Sequence, residues 1–191
     1  MSIIIASNDN VALERTKKEF FDKYNAHIIS EYFDASDCES INNLRNKVQK
    51  YFEGSLNIVV HSIGIVERNS ISNQALDSLE KIFSVNLNSA FLTVKLFQPL
   101  LKLSGLGRII FVSSYFGSHV SKGRAAYSMS KSGMNALMKT SAVELSEENI
   151  TVNSISPGGF LTDINKDILS DPNTLSQVEA SIPMKRLGEL E

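Results

Sequence analysis

The sequence predicts an α/β protein organised on a doubly wound parallel sheet, and three observations carry that expectation. Short aliphatic runs, SIIIA at 2–6, LNIVV at 56–60 and IIFV at 109–112, are apolar almost without interruption, as strands buried on both faces of a parallel sheet are. Between them the apolar spacing changes to that of a helix. Through residue 61 the elements alternate strand, helix, strand, helix, strand, the rhythm of right-handed βαβ crossovers.

Taken in order, the first strand ends in Ser7-Asn8-Asp9-Asn10, where Asp9 or Asn10 can cap a helix over 11–24. AHIISEYF (26–33) is the second strand and ends at Asp34-Ala35-Ser36-Asp37. Asp37 then caps a helix over 39–52, which stops at Gly54. The third strand ends in His61-Ser62-Ile63-Gly64. Residues 75–105 read as one long helical region with a broad apolar surface of Leu79, Phe83, Leu87, Phe91, Val94 and Leu101, suited to packing on the sheet and on a partner subunit. The fourth strand closes at Ser113 and Ser114, at the carboxyl end where open α/β sheets place their ligands. From Ala125 the pattern is helical again, with Ala126, Met129, Gly133, Ala136, Leu137 and Thr140 spaced for one packed face. TVNSIS (151–156) is a further strand leading into Pro157-Gly158, and beyond Thr162 the chain turns polar. No repeat, low-complexity tract or linker divides it, so residues 1–191 read as a single domain.

Composition narrows the class. A chain of 191 residues with 42% hydrophobic and 21% charged residues can bury a proper core. Its net charge of −2 provides no basic footprint for nucleic acid or an anionic membrane. Cys38, the single cysteine, has no partner for an internal disulfide. The amino-terminal run is too short and lacks the basic flank of a signal peptide, and no apolar stretch has the length of a membrane span. A cytoplasmic location is the default. No Cys/His cluster offers a metal site.

Chemistry concentrates between Arg108 and Thr162. Tyr127 and Lys131 stand four apart on the helix from Ala125, so their side chains share a face one turn apart. A free tyrosine ionises near pH 10 and is a poor base at neutral pH, but a neighbouring ammonium favours its phenolate. A serine hydroxyl facing the same point can hold a carbonyl or alcohol oxygen while the tyrosine passes the proton. The spacing alone better suits an amphipathic helix with a part-buried tyrosine and a snorkelling lysine.

The surrounding residues separate these readings. Ser114 lies thirteen residues before Tyr127, Asn86 sits in SVNLNSAF, and NSISPGGFLT follows the helix. Ser-Tyr-Lys-Asn at these spacings, followed by PGGFLT, resembles the short-chain dehydrogenase/reductase family of the classical type, with a Rossmann-like sheet, over essentially the whole chain. The resemblance implies an oxidoreductase moving a hydride between a nicotinamide cofactor and a small carbonyl or alcohol substrate, similar to the 3-oxoacyl-carrier-protein reductases. It makes Tyr127 the general acid/base and Ser114 the substrate-oxygen donor. Lys131 tunes Tyr127 and binds the nicotinamide ribose, Asn86 holds a water linking Lys131 to solvent, and Thr162 contacts the carboxamide. It also implies a homodimer or homotetramer through the helices of Asn86 and Tyr127, and a substrate lid after Thr162 to which Phe160, Ile164, Ile168, Leu169 and Met184 are candidates.

Two departures qualify the match. The family's glycine-rich turn, which cradles the cofactor pyrophosphate, has no counterpart, because no glycine precedes Gly54. The spacings from Asn8 to Asp34 and from Asp34 to His61 fit the family's second strand onward. SIIIAS is therefore read as the second strand, with the first strand and the last edge strand missing and two strand edges left to re-pair or stay open. A catalytically silent remnant or interaction module is the corresponding alternative. Secondly, His61-Ser62-Ile63-Gly64 replaces the usual Asn-Asn-Ala-Gly and resembles an enoyl-reductase segment, although the four-residue Tyr–Lys step favours carbonyl chemistry.

By the same resemblance the cofactor set comprises Ser7, Asn8, Asp34, Ala35, His61, Gly64, Tyr127, Lys131, Pro157, Gly158 and Thr162. Ser7, where NAD-dependent members carry an aspartate, leans the choice to NADP, with NAD open. Asn8, where an arginine often stands, weakens that lean. Asp9 is read as a helix cap, Asp34 as an adenine contact or a turn cap, and His61 as a sheet-end hydrogen-bonding residue.

Overall fold

The computed structural model describes residues 2–162 and 169–189. Strand β1 (Ile4–Ser7) and helix α1 (Asn10–Tyr24) are followed by β2 (Ile29–Tyr32), α2 (Cys38–Tyr51) and β3 (Ile58–His61). The caps are those expected. Asp9 Oδ1 accepts from the Ala12 N–H at 2.9 Å, Asp37 Oδ1 accepts from the Glu39 N–H at 2.9 Å, and α1 ends on Asn25 at a left-handed φ of 49°.

β1 and β2 pair in parallel with Ile4 opposite Ile29. β4 (Gly107–Val112) lies between β3 and β5 (Ile150–Ile155), also in parallel, with Ile58 opposite Arg108 and Gly107 opposite Ile150. No ladder joins β1 to β3 among the described residues, so five parallel strands form two sheets. A single apolar cluster unites them, from Phe33 and Ile41 to Phe97, Leu101, Ile109, Phe111, Met134 and Val152.

The predicted helix over 75–105 is interrupted. α3 (Leu76–Phe83) passes into a five-residue π-helical turn, Ser84–Asn88, and then into α4 (Ser89–Leu103). Such turns widen the helix by one residue and are frequent at functional sites. The sheet-facing side carries Ile82, Asn86, Ala90, Thr93, Phe97 and Leu100, all buried. The named surface of Leu79, Phe83, Leu87, Phe91 and Val94 lies beside it, partly exposed, and Phe91 is 54% exposed.

α5 (Ala125–Glu144) keeps part of the expected packed face, with Ala126 buried, Leu137 against the core and Gly133 against Leu87, and departs from the rest. Met129, Ala136 and Thr140 face outward, whereas Ala126, Ser130, Lys131, Met134 and Ser141 are buried. Small hydroxyl side chains bring the helix close to its neighbours, and Ser130 satisfies itself by donating to Tyr127 O at 2.8 Å. A hydropathy pattern reads those serines as solvent-facing, so they fall outside the expected stripe.

β4 also differs from its prediction. Ile109 and Phe111 are fully buried under α4 and α5, but Ile110 and Val112 on the other face are only partly covered. On β3 the contrast is sharper, with Ile58 56% and Val60 58% exposed. α1 packs against β1 and β2, and no described helix covers this face of β3–β5. After β5, Pro172–Ser181 forms α6, and Gly188 N–H donates back to Gly159 O at 2.8 Å.

At Gly107 an added Cβ meets Ile150 Cγ1 at 2.8 Å and Leu101 Cβ and O at 3.0 and 3.1 Å. Two of these atoms belong to the fixed end of α4 and its backbone. Gly107→Ala is therefore expected to destabilise the fold by about 1–3 kcal/mol, read as a lower urea midpoint at unchanged slope.

Candidate active site

The carboxyl ends of β3, β4 and β5 meet the first turns of α5 and the π-turn at one place, and Gly64 marks it. A Cβ on Gly64 would lie 3.2 Å from Lys131 Nζ and 3.6 Å from Asn86 Oδ1. The missing side chain lets both polar groups reach the loop after β3.

Lys131 is 3% exposed. Its ammonium donates to Val112 O at 2.9 Å and to Ile63 O at 3.3 Å, bridging the ends of β4 and β3. Burial disfavours the charge and pulls its pKa from 10.5 to about 8. Nζ stands 5.9 Å from the centre of the Tyr127 ring.

Asn86 is fully buried in the π-turn. Its Oδ1 accepts from the Ile65 N–H at 2.8 Å, while Nδ2 donates to Ile65 O at 2.9 Å and to Ser130 Oγ at 3.0 Å. One amide therefore ties the β3 loop to α5. Because Ser130 Oγ in turn donates to Tyr127 O, the chain of bonds runs from Ile65 to the backbone of the tyrosine.

Ser114, 8% exposed, caps the short 3₁₀ turn Tyr115–Gly117, its Oγ accepting from the Phe116 N–H at 3.2 Å. That loop is fastened on two sides. Tyr115 N–H donates to Pro157 O at 2.9 Å, and Ser132 Oγ of α5 donates to Gly117 O at 2.9 Å. A side chain at Gly117 would meet Asn135 Nδ2 at 2.6 Å and Ser113 Oγ at 2.9 Å, so the loop sits directly on the helix.

His61 closes β3 and is 3% exposed. Its Nε2 lies 2.9 Å from Ser89 Oγ, and that hydroxyl gives its own proton to Val85 O, so Nε2 carries the ring proton. Burial, and then the charge of Lys131, lowers its pKa to about 4, leaving a neutral imidazole. Nδ1 is buried and unpartnered. These contacts are those of a sheet-end residue.

The remaining sequence-derived residues lie on the β1–β2 side or beyond β5. Ser7 Oγ accepts from the Asp9 N–H at 3.1 Å, and Asn8 follows it exposed in the turn after β1. Asp34 uses Oδ1 on Ser36 N and Oγ at 2.8 and 2.7 Å, which holds its carboxyl below the usual range. Its geometry is that of a turn cap. Ala35 follows it, and Ser84 Oγ at the head of the π-turn donates to Ser36 O at 3.3 Å, linking this turn to the Asn86 segment. No described hydrogen bond brings Ser7, Asn8 or Asp34 to Lys131. Gly158 has open space around it, and Thr162 ends the first described stretch. Of the lid candidates, Ile164 and Ile168 lie outside the described residues. Leu169 is buried, Met184 is 70% exposed, and Phe160 pairs with Gly188.

Ser130, which joins Asn86 to the Tyr127 backbone, escaped sequence reasoning, as did Arg68 and Arg124 beside Tyr127. Serine and arginine at irregular spacing leave no motif.

A parallel sheet whose carboxyl ends gather a buried ammonium, a buried amide, a serine and a tyrosine defines a doubly wound α/β enzyme. Across residues 1–191 the chain matches the family model described as enoyl-(acyl carrier protein) reductase. It is 33% identical over 183 residues to a tropinone reductase homolog of Arabidopsis thaliana, covering 96% of this chain and 68% of that protein. It is 31% identical over 156 residues to a 2,5-dichloro-2,5-cyclohexadiene-1,4-diol dehydrogenase of Sphingobium indicum, covering 82% and 61%. Among solved structures, levodione reductase shares the fold at a TM-score of 0.92 and 22% identity over 98% of this chain and 76% of that one. An NADP active-site complex of RhlG from Pseudomonas aeruginosa aligns at 0.89 and 27% identity, over 97% and 73%. The chain belongs to the short-chain dehydrogenase/reductase family, whose members are NAD(P)-dependent oxidoreductases.

The buried ammonium has a measurable signature. An unfolded lysine holds its proton to about pH 10.5, so between pH 8 and 10.5 the unfolded chain binds more protons than the folded one. Burying the charge therefore costs about 3 kcal/mol below pH 8, and the cost fades as pH rises. Relative to Lys131→Met, wild-type stability is expected to climb between pH 8 and 10, measured by urea unfolding at each pH. A flat difference would contradict it.

Proposed function

We propose that this chain interconverts a carbonyl and its alcohol, with Tyr127 as general acid/base, and that NADP is its preferred cofactor, with NAD as the alternative. The observation that carries the reading is Lys131, an ammonium held by Val112 O and Ile63 O one helical turn from Tyr127. Two of its three N–H donors are used there, and the third remains for a ribose hydroxyl. The absent side chain of Gly64 is the matching cradle.

A nicotinamide dinucleotide bound at this edge supplies or accepts the hydride. In the reducing direction Tyr127 Oη gives its proton to the substrate oxygen, and in the oxidising direction it takes that proton back. Lys131 places its ammonium 5.9 Å from the centre of the Tyr127 ring, one helical turn away. Ser114 Oγ donates to the same substrate oxygen and holds it toward Tyr127. Asn86 acts by position, since its amide keeps the Gly64–Ile65 loop and the first turns of α5 together. Ser7, Asn8 and Ala35 are assigned to the adenosine end of the cofactor, together with Asp34, whose Oδ1 caps the turn that holds Ala35 there. His61, Gly64, Pro157, Gly158 and Thr162 are assigned to the nicotinamide end with Lys131 and Tyr127.

The relatives' names, a tropinone reductase homolog and a 2,5-dichloro-2,5-cyclohexadiene-1,4-diol dehydrogenase, fit carbonyl/alcohol chemistry. Enoyl reduction and a silent module are less favoured, because the four-residue Tyr–Lys step stands with its lysine buried and bonded. Phe91 and Met129, each 54% exposed on α4 and α5, and Val143, 76% exposed, support a homodimer or homotetramer joined through these helices. Nothing in the composition argues against a cytoplasmic enzyme, and none of the described helices is long and apolar enough to cross a membrane.

Tyr127→Phe removes only a hydroxyl from a partly exposed ring, so the fold should survive with an unchanged circular dichroism spectrum. NADPH-dependent reduction of small ketones is expected to fall by roughly 10²–10⁴-fold. Retained turnover would sink the assignment.

A further inference from the structure

Two arginines that the reaction above does not use flank its tyrosine. Arg68 stands in the loop after β3, four residues past Gly64, and Arg124 precedes α5, three residues before Tyr127. Their segments run side by side. Asn69 and Arg124 form a parallel bridge, Asn69 N–H donates to Gly123 O at 3.1 Å, and Gly123 turns the chain at a left-handed φ of 74°. The Arg124 guanidinium carbon lies 4.3 Å from the centre of the Phe116 ring, so it rests on the loop that carries Ser114.

Both side chains are partly buried, yet among the described residues neither guanidinium makes an ion pair or a hydrogen bond. The adjacent acid, Glu67, accepts instead from Asn69 Nδ2, at Oε1 and 2.6 Å. Burial lowers the pKa of both arginines, the charge of Arg68 lowers that of Arg124 further, and the Tyr127 hydroxyl lies within electrostatic reach of both. Arginine does not shed its proton in this range, so both positive charges persist. Holding two desolvated like charges together is unfavourable, and an anion placed between them reverses the sign.

We infer that Arg68 and Arg124 form an oxyanion subsite beside Tyr127, which takes the carboxylate or phosphate of a substrate whose carbonyl or hydroxyl group lies elsewhere in the molecule. The inference rests on the carbonyl/alcohol reading for the reacting end only. The planar forks of two guanidiniums suit either oxyanion, and they would set which end of the substrate faces Tyr127. Arg68 and Arg124 are thus specificity-determining residues.

The test is calorimetric binding in the presence of NADP⁺, which cannot reduce a ketone. Two matched pairs are compared: 4-oxopentanoate with its methyl ester, and acetonyl phosphate with hydroxyacetone. At least one charged member is expected to bind about tenfold or more tightly than its neutral partner, and whichever pair shows this identifies carboxylate or phosphate. Arg68→Gln and Arg124→Gln should each reduce the preference about tenfold, without weakening the neutral partner. Should Arg124→Gln lose the neutral ligand as well, its fold is damaged and Arg68→Gln decides. Equal binding within both pairs, no binding of either charged probe, or a preference that survives in the double variant overturns the subsite. Turnover with NADPH is read separately. An anion preference without any turnover refutes the carbonyl/alcohol reading and leaves the subsite standing, whereas turnover without a preference does the reverse.

Discussion

The site depends on one buried ammonium and the two carbonyls that hold it. Lys131 comes from α5, whereas Val112 O closes β4 and Ile63 O lies in the loop two residues beyond β3. A strand end in a parallel sheet leaves carbonyls that no further ladder satisfies, and a buried lysine needs acceptors. Each requirement meets the other, and the helix is thereby fixed in rotation relative to the sheet. Tyr127, one turn away, inherits that rotation.

Asn86 performs the equivalent service with a neutral group. An amide side chain leaving a helix toward a neighbouring loop fits poorly in a regular α-turn, and the π-turn at Ser84–Asn88 provides the extra residue. All of its bonds go to groups that must stay still, two to Ile65 and one to Ser130. His61 extends this polar layer one step deeper as a neutral ring beside Ser89. Neutrality matters there, because a second cation next to Lys131 would compete with it.

Much of this was legible in the residues because the relevant signals are periodic or local. Strands β1 to β5, the caps at Asp9 and Asp37, and the Tyr127–Lys131 step all rest on spacing or on a single capping geometry. What escaped depends on partners distant in the chain. The serine-rich buried stripe of α5 looks solvent-facing until Asn86 and Gly117 are placed against it. Nothing at Ile58 or Val60 announces that their face stays open while Ile109 and Phe111 are sealed, since an apolar run is silent about which neighbours arrive. Asp34 could be read two ways, and its bonds to Ser36 favour the turn. The arginines at 68 and 124 have meaning only through the bridge that aligns their loops.

The parallel pairing of β4 has a consequence for how the molecule assembles. Ile58 finds Arg108, and Gly107 finds Ile150, each across a whole intervening helix. Contacts so remote in sequence close large loops before they return any ladder energy, which slows folding and makes it strongly cooperative. Lys131 needs β3, β4 and α5 in place together. Its cradle therefore exists only when all three are assembled, and reports their joint assembly rather than the formation of any one of them.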